Sequence, residues 1–304
     1  MRHLITLRDL TRDQVEAILD RAAELKARRL RGERPLLLQG RVLVQVFEKP
    51  SLRTRVSFDA AIGQLGGHAI FLTARDAGLD GRETVADVAR VLGSYCDVLV
   101  LRTFSEQLIV DFATHAGCHV VNGLTDSTHP CQALTDILTM QEALGEIRGR
   151  RLAFVGDGNN VAVSLATICA MLGVSFAIAS PSGYELPPAV LDDLRQRHPG
   201  SDLMQTTDPV AAVKHADIVY TDVWASMGQE EEKDRRAEAF ARYQVNAALM
   251  SRARKHARFL HCLPARRGLE VTDDVVEGPQ SLVFPQAENR LHIAKGVLIW
   301  LLEG

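Results

Sequence analysis

Short apolar runs alternate along the chain with segments whose apolar residues recur every three or four positions. That alternation predicts strands and helices taking turns. The run 42–47, Val-Leu-Val-Gln-Val-Phe, reads as a buried strand that Lys49-Pro50 ends. Ser51 is a good N-cap for a helix beginning just after it. Over 54–65 the residues Val56, Ala60, Ala61, Ile62 and Leu65 keep helical spacing, and Gly66-Gly67 stops it. An amphipathic helix is predicted over 10–30, with Val15, Ile18, Leu19, Ala22 and Leu25 on its apolar face. Further helices are predicted over 84–95, 106–116 and 129–144, and strands over 68–72, 97–102 and 119–122. The charged, glycine-containing segment 75–83 reads as a mobile loop.

The alternation starts again at Arg151. Strands are predicted over 152–155, 175–179, 217–221 and 258–261, with a turn over 156–160 and a helix over 161–172. The expected fold is α/β: two doubly wound domains, each a parallel sheet flanked by helices. The boundary falls where Gly145 and Gly149 end the long helix, giving domains 1–146 and 147–287. A C-terminal helix within 288–304, starting beyond Pro285, is expected to pack back on the first domain.

Composition narrows the class. A chain of 304 residues with a net charge of -3 gives no bulk-charge reason for nucleic acid or membrane binding. The cysteines at 96, 118, 131, 169 and 262 are odd in number and widely spaced, which predicts thiols in a reducing compartment. The N-terminus lacks the apolar core of a signal peptide, and no apolar run approaches a membrane span. A cytoplasmic protein is expected.

In doubly wound sheets ligands gather at the carboxyl ends of strands. The polar residues that fall there are Ser51, Arg53 and Thr54, then Arg102, then His129 and Gln132. The second half contributes Asn159 and Asn160, Asp222 with Ser226-Met227-Gly228, and His261-Cys262-Leu263-Pro264. At the first of these places a helix N-terminus carries Lys49, Arg53 and Arg55. Cations there oppose the helix dipole, so a dianion such as phosphate explains them better than capping alone. One half is rich in cations and the other supplies an acid, amides and a thiol, which suits an anionic substrate meeting an amine. Taken singly, His129 reads equally as a capping or core histidine, and Cys262 as a buried small hydrophobe.

Other patterns lead nowhere. Gly156-Asp157-Gly158 lacks the third glycine, since Val161 stands there, and no acid follows Ala179-Ser180-Pro181 to hold a ribose. A dinucleotide site is not expected. His115, Cys118 and His119 have no matching second pair, so no metal is expected either. The charged run 230–236 reads as a solvated helical start.

Four segments, in order, carry a resemblance: Ser51-Leu52-Arg53-Thr54-Arg55, His129-Pro130-Cys131-Gln132, Asp222-Val223-Trp224-Ala225-Ser226-Met227-Gly228 and His261-Cys262-Leu263-Pro264-Ala265. Together they resemble the signatures of the aspartate/ornithine carbamoyltransferase superfamily, and within it the ornithine carbamoyltransferases, over essentially the whole chain. The resemblance implies transfer of a carbamoyl group from carbamoyl phosphate to the δ-amine of L-ornithine, giving L-citrulline and phosphate with no cofactor. It implies that Ser51, Leu52 through its backbone, Arg53 and Thr54 hold the phosphate. Arg102, His129 and Gln132 hold the carbamoyl end, with Cys262, Leu263 and Arg290 as further carbamoyl phosphate contacts. Asn160, Asp222, Ser226 and Met227 bind ornithine. Arg102, His129, Asp222 and Cys262 are the expected catalytic residues. A homotrimer, or a multiple of one, is implied as well.

Three positions depart from the family pattern. Leu52 stands where a threonine is usual, Gly78 where a glutamine or histidine often reaches a neighbouring subunit, and Arg266 where a histidine is common. Leu52 and Arg266 resemble relatives that use N-acylated ornithine. Ser226-Met227-Gly228-Gln229-Glu230 is the signature expected for free ornithine. The alternatives are a carbamoyltransferase acting on an N-acylated ornithine or another amine, and a phosphate-ligand binding protein without catalysis.

Overall fold

The computed structural model describes residues 1–79, 81–225 and 230–303, with Glu230 described in its backbone only. Two compact units divide the chain: Met1–Leu138 with Glu288–Gly304, and Thr139–Ala287.

In the first unit α1 (Arg12–Leu30), β1 (Val42–Phe47), α2 (Leu52–Gln64), β2 (His68–Thr73), α3 (Val85–Tyr95), β3 (Val98–Arg102), α4 (Glu106–His115), β4 (His119–Leu124) and α5 (Pro130–Leu144) follow in order. The four strands are parallel and lie in the order β2-β1-β3-β4. Strand order therefore reverses between β1 and β3, the switch point at which such sheets bind ligands. Val44, Val46, Leu99, Leu101 and Val120 are buried in the core beside Phe112 of α4.

Two local expectations need correcting. The buried face of α2 is Thr54, Ser57, Phe58, Ala61 and Ile62, whereas Val56 is 52% exposed. Small hydroxyl residues can line a buried face once their own groups are bonded, and Ser57 Oγ donates to the Thr54 carbonyl at 3.1 Å. The described part of 75–83 is a folded turn. Ala77 N donates to Thr73 O at 3.0 Å and Leu79 N to Ala74 O at 2.9 Å, and both side chains pack on the core.

The second unit holds β5 (Arg151–Val155), α6 (Asn160–Leu172), β6 (Ser175–Ala179), α7 (Pro188–Arg197), β7 (Leu203–Thr206), α8 (Pro209–Val213), β8 (Ile218–Thr221), α9 (Lys233–Phe240), α10 (Ala247–Met250), β9 (Arg258–His261) and α11 (Asp273–Val276). Its strands are parallel in the order β7-β6-β5-β8-β9, with the switch point between β5 and β8. Strand β7 is an addition to the sequence reading. It is a four-residue edge strand, half-exposed throughout, so it lacks the apolar run that marks its neighbours.

Helix α12 (Val283–Leu302) packs against the first unit. A Cβ on Gly296 would lie 2.6 Å from the Ile18 carbonyl oxygen and 3.0 Å from Ala22 Cβ, so the glycine lets the α12 and α1 backbones touch. Lys26 Nζ donates to Asn289 Oδ1 at 2.8 Å in the same seam. The helix starts before Pro285 rather than beyond it. A proline is tolerated in a first turn because its missing N–H would have no helical acceptor there. Among the described residues no helix is long and apolar enough to cross a membrane.

Candidate active site

The chain leaves β1 and enters α2 through Ser51, whose extended backbone and hydroxyl cap the helix by accepting from Thr54 N at 3.2 Å. Thr54 itself is buried, and its hydroxyl receives Nη2 of Arg290, from α12, at 3.2 Å. The same guanidinium sends Nη1 to Gln132 Oε1 and lies 3.3 Å from His129 Nε2. Gln132 Nε2 in turn donates to Asp136 Oδ1 at 2.8 Å, which fixes the orientation of the amide. Thr54, His129, Gln132 and Arg290 thus form one hydrogen-bonded group, drawn from the starts of α2 and α5 and from α12.

Electrostatics decide the state of His129. It is 6% exposed, and burial, then the charges of Arg290 and Arg102, hold its pKa well below the ordinary 6.5. The ring is neutral, and its Nε2 is the nitrogen that faces the Arg290 guanidinium. Arg102, the last residue of β3, is buried at the switch point, and Arg53 is half-buried on the first turn of α2. Buried guanidinium groups beside a helix N-terminus favour an anionic ligand.

Two cations expected at this anion site are engaged elsewhere. Lys49 pairs with Asp126 and sits 4.1 Å from the centroid of the Phe104 ring. Arg55 stacks 3.7 Å from the Phe71 centroid and lies 3.9 Å from Asp59. Arg290, 236 residues along the chain from Thr54, completes the group instead. Leu52, on the same first turn of α2, is 73% exposed.

In the second unit three strand ends converge. Asp222 follows β8 and Cys262 follows β9, and Thr221 and His261 are register partners in the adjacent strands. The Cys262 thiol donates to Asp222 Oδ1 at 3.0 Å. Asp222 also accepts from its neighbour Val223 N at 2.8 Å and, on Oδ2, from Asn159 Nδ2 at 2.9 Å. Asn159 is the N-cap of α6, its Oδ1 accepting from Val161 N and Ala162 N at 3.0 and 3.1 Å. Asn160 begins α6, and it is Asn159 whose amide reaches Asp222. Ser226 and Met227 lie outside the described residues.

The turn that carries Cys262 is itself held from behind. Leu263 has φ 58°, a left-handed backbone that a branched side chain disfavours. Its N–H donates to His261 Nδ1 at 2.9 Å, while Nε2 of the same ring donates to Glu270 Oε1 at 3.3 Å. Both His261 and Glu270 are buried. Glu270 thus selects the tautomer that pins Leu263.

Arg236 overturns the expectation of a solvated charged run. It is 7% exposed and donates to Asp157 Oδ2 at 2.8 Å, to Glu232 at 2.9 Å and to the Trp224 carbonyl at 3.0 Å. Asp157 sits on the turn after β5. There a Cβ on Gly158 would lie 2.4 Å from Leu186 N and 2.5 Å from the Glu185 carbonyl carbon. The glycine is required by this close approach. Sequence reading misses Arg236 and Glu270 as supports of the site: Arg236 reaches Asp157, 79 residues away, and Glu270 lies outside the strand-end segment that carries its partner His261.

Among the described residues, Asp222, His261 and Cys262 are the one group with metal-ligand spacing, their donor atoms within 4.8 Å of one another. Both nitrogens of His261 already serve Leu263 and Glu270, and the thiol is bonded to Asp222. The set therefore reads as a hydrogen-bonded assembly. The pairing of Cys118 differs from the cluster weighed in the sequence: its Sγ lies 4.0 Å from that of Cys96.

Twin doubly wound units, one with a buried cationic group and the other with an acid, a thiol and an amide, define a two-substrate transferase. Residues 2–142 match the carbamoyl-P binding domain of aspartate/ornithine carbamoyltransferases, and residues 148–301 match their Asp/Orn binding domain. The chain belongs to the aspartate/ornithine carbamoyltransferase family. It is 48% identical to the ornithine carbamoyltransferase of Anoxybacillus flavithermus over 300 residues, covering 98% of this chain and 96% of the relative. Among solved structures, ornithine carbamoyltransferase from Pyrococcus furiosus superposes with a TM-score of 0.97 at 46% identity, covering 100% of this chain and 97% of that one. The Thermus thermophilus enzyme gives 0.90 at 41% identity, covering 99% of this chain and 98% of that one.

Proposed function

We propose that this protein transfers the carbamoyl group of carbamoyl phosphate to the δ-amine of L-ornithine, releasing L-citrulline and phosphate. The observation that carries the reading is the buried group of Thr54, His129, Gln132 and Arg290, which lies in the region matching a carbamoyl-P binding domain and on the helix that returns to it.

Ser51, Arg53, Thr54 and the Leu52 N–H take the phosphate at the α2 N-terminus. Arg290 ties Thr54 to His129 and Gln132, so the phosphate and carbamoyl ends are held in one register. As the amine nitrogen bonds to the carbamoyl carbon, charge builds on the carbonyl oxygen. Arg102 and neutral His129 donate to it, and a donor of this kind contributes about 10²–10³ in rate. A neutral imidazole donates without first having to keep a proton between two guanidinium groups. The tetrahedral species collapses by breaking the bond to phosphate, which leaves with the proton lost from the nitrogen. No covalent enzyme intermediate is required.

The amine must be neutral to attack, and an alkylammonium has a pKa of about 10.4 in water. Asp222 orients the nitrogen by accepting its N–H. Because the carboxylate already accepts from Asn159, Val223 and Cys262, it holds the ammonium form less tightly than a bare carboxylate would. Ser226 and Met227, with Asn160, are proposed for the amino-acid end of ornithine.

A cytoplasmic homotrimer, or a multiple of one, is the assembly we favour. Its support is three exposed apolar side chains on the first unit, Leu52 at 73% and Val56 at 52% on α2 and Ile70 at 47% on the edge strand β2. Light scattering tests it. For the activity, the protein is incubated with carbamoyl phosphate and, in turn, ornithine, N-acetylornithine, putrescine and aspartate, and the ureido product is measured. Citrulline from ornithine is the expected product. Its absence, with product from another acceptor, overturns the assignment.

A further inference from the structure

We infer that Cys96 and Cys118 form a dithiol site that hydroperoxides oxidise to an intramolecular disulfide. Cys96 caps the C-terminus of α3 and Cys118 precedes β4. Their sulfur atoms are 4.0 Å apart, in direct contact and about 2 Å beyond bonding distance. The backbones that carry them are pinned together. A Cβ on Gly93 would lie 1.6 Å from the Ala116 carbonyl oxygen, so the end of α3 and the turn after α4 touch main chain to main chain. His119 N donates to Asp97 O at 3.2 Å, joining the residues next to each thiol.

Contact between two thiols, one of them half-exposed, separates this pair from Cys131 and Cys169. Loss of a proton from Cys118 leaves a thiolate that Cys96 stabilises by donating to it; the contact lowers the pKa of Cys118 and raises that of Cys96. Asp97, the nearest carboxylate, is paired with Arg41 at 2.6 Å. Cys131 is buried with its pKa pushed up to about 11, and Cys169 is also buried. Cys96 is half-exposed and gives the oxidant access. One thiolate attacks a peroxide oxygen, the O–O bond breaks, and a sulfenic acid and hydroxide form. The second sulfur then attacks the sulfenic sulfur, and its proton leaves with the displaced hydroxide. Two thiols and one hydrogen peroxide give one disulfide and two waters.

The bond would join the amino ends of β3 and β4, the ends opposite Arg102 and the turn to His129. Oxidation therefore stabilises the first unit without touching the anion group. The thiols are 22 residues apart, and closing a loop of that length restricts the unfolded chain.

The test treats the reduced full-length protein with a small excess of hydrogen peroxide, then counts thiols and maps peptides without reduction. Trypsin places Cys96 on peptide 91–102 and Cys118 on peptide 103–148 together with Cys131, so fragmentation must assign the bridged sulfur. Two thiols should disappear, one bridge should join Cys96 to Cys118 within a single chain, and the thermal midpoint should rise by roughly 5 °C. Cys96→Ser and, separately, Cys118→Ser should each abolish the bridge and leave an oxidised single cysteine. Five titratable thiols after treatment, a bridge to Cys131 or between chains, or an unchanged or lower midpoint would overturn the inference.

Discussion

The thiol of Cys262 donates to the carboxylate of Asp222 across 3.0 Å, from the first residue past β9 to the first past β8. Two adjacent parallel strands in register deliver the two groups to the same level, and Asn159 holds the other carboxylate oxygen. The acid arrives with its direction fixed by three donors.

Asp222→Asn keeps the shape and removes the charge that orients the attacking amine. We expect kcat/KM for ornithine to fall about 100-fold, the size of a charge-assisted hydrogen bond. Carbamoyl phosphate binding by calorimetry should stay within twofold. Cys262→Ala should lower kcat about tenfold and move the pH profile. Unchanged turnover and profile would remove Cys262 from the mechanism.

The Glu270 to His261 to Leu263 relay predicts an effect at a distance from substrate. Glu270→Gln removes the acceptor charge that sets the His261 tautomer, so the left-handed turn at Leu263 loosens. We expect about a tenfold loss in kcat with a native circular dichroism spectrum. A full kcat would show that the turn holds itself.

His129 makes the first unit sensitive to acid, with a definite sign. Its folded pKa is depressed by burial, then by Arg290 and Arg102, while an unfolded histidine stays near 6.5. Between those values the unfolded chain binds more protons, so stability falls as pH drops below about 6.5 and is fully present above it. The slope from this one group is about 1.4 kcal/mol per pH unit. Urea unfolding at pH 5, 6, 7 and 8 should show it, and His129→Gln should flatten it.

Arg236 and Asp157 form a buried pair, and burial already pushes the Asp157 pKa up. Arg236→Met should cost about 3 kcal/mol in urea unfolding by leaving that carboxylate without its cation. Adding Asp157→Asn should recover much of the loss. If the two losses simply add, the pair is not coupled.

Leu52→Thr restores the usual residue of the first motif at a position 73% exposed. The KM for carbamoyl phosphate should change by less than about twofold. A marked tightening would mean that the side chain meets the phosphate after all.

Much of this arrangement is legible in the chain. Strand ends carry their signals locally, so Ser51, Thr54, Arg102, His129, Asp222 and Cys262 stand out from apolar runs and the polar residues just beyond them. The illegible part depends on separation. Lys49 and Arg55 look like anion ligands because nothing nearby in sequence shows Asp126 or Phe71 claiming them. Arg236 looks solvated because its acceptor, Asp157, lies 79 residues away. Strand β7 escapes a reading by pattern because an exposed edge needs no apolar run.

The turn after β5 bears on how far an α/β scaffold can change trade. In a dinucleotide-binding fold the second glycine of the fingerprint leaves room for a pyrophosphate to approach the main chain. Here Gly158 stands at that place, and the room is filled by the polypeptide itself, Glu185 and Leu186. A cofactor's berth has become a seam of the protein's own backbone. Restoring the missing glycine at Val161 would therefore not make a nicotinamide enzyme of this unit, because the vacancy such a motif advertises was closed by a segment more than two dozen residues downstream.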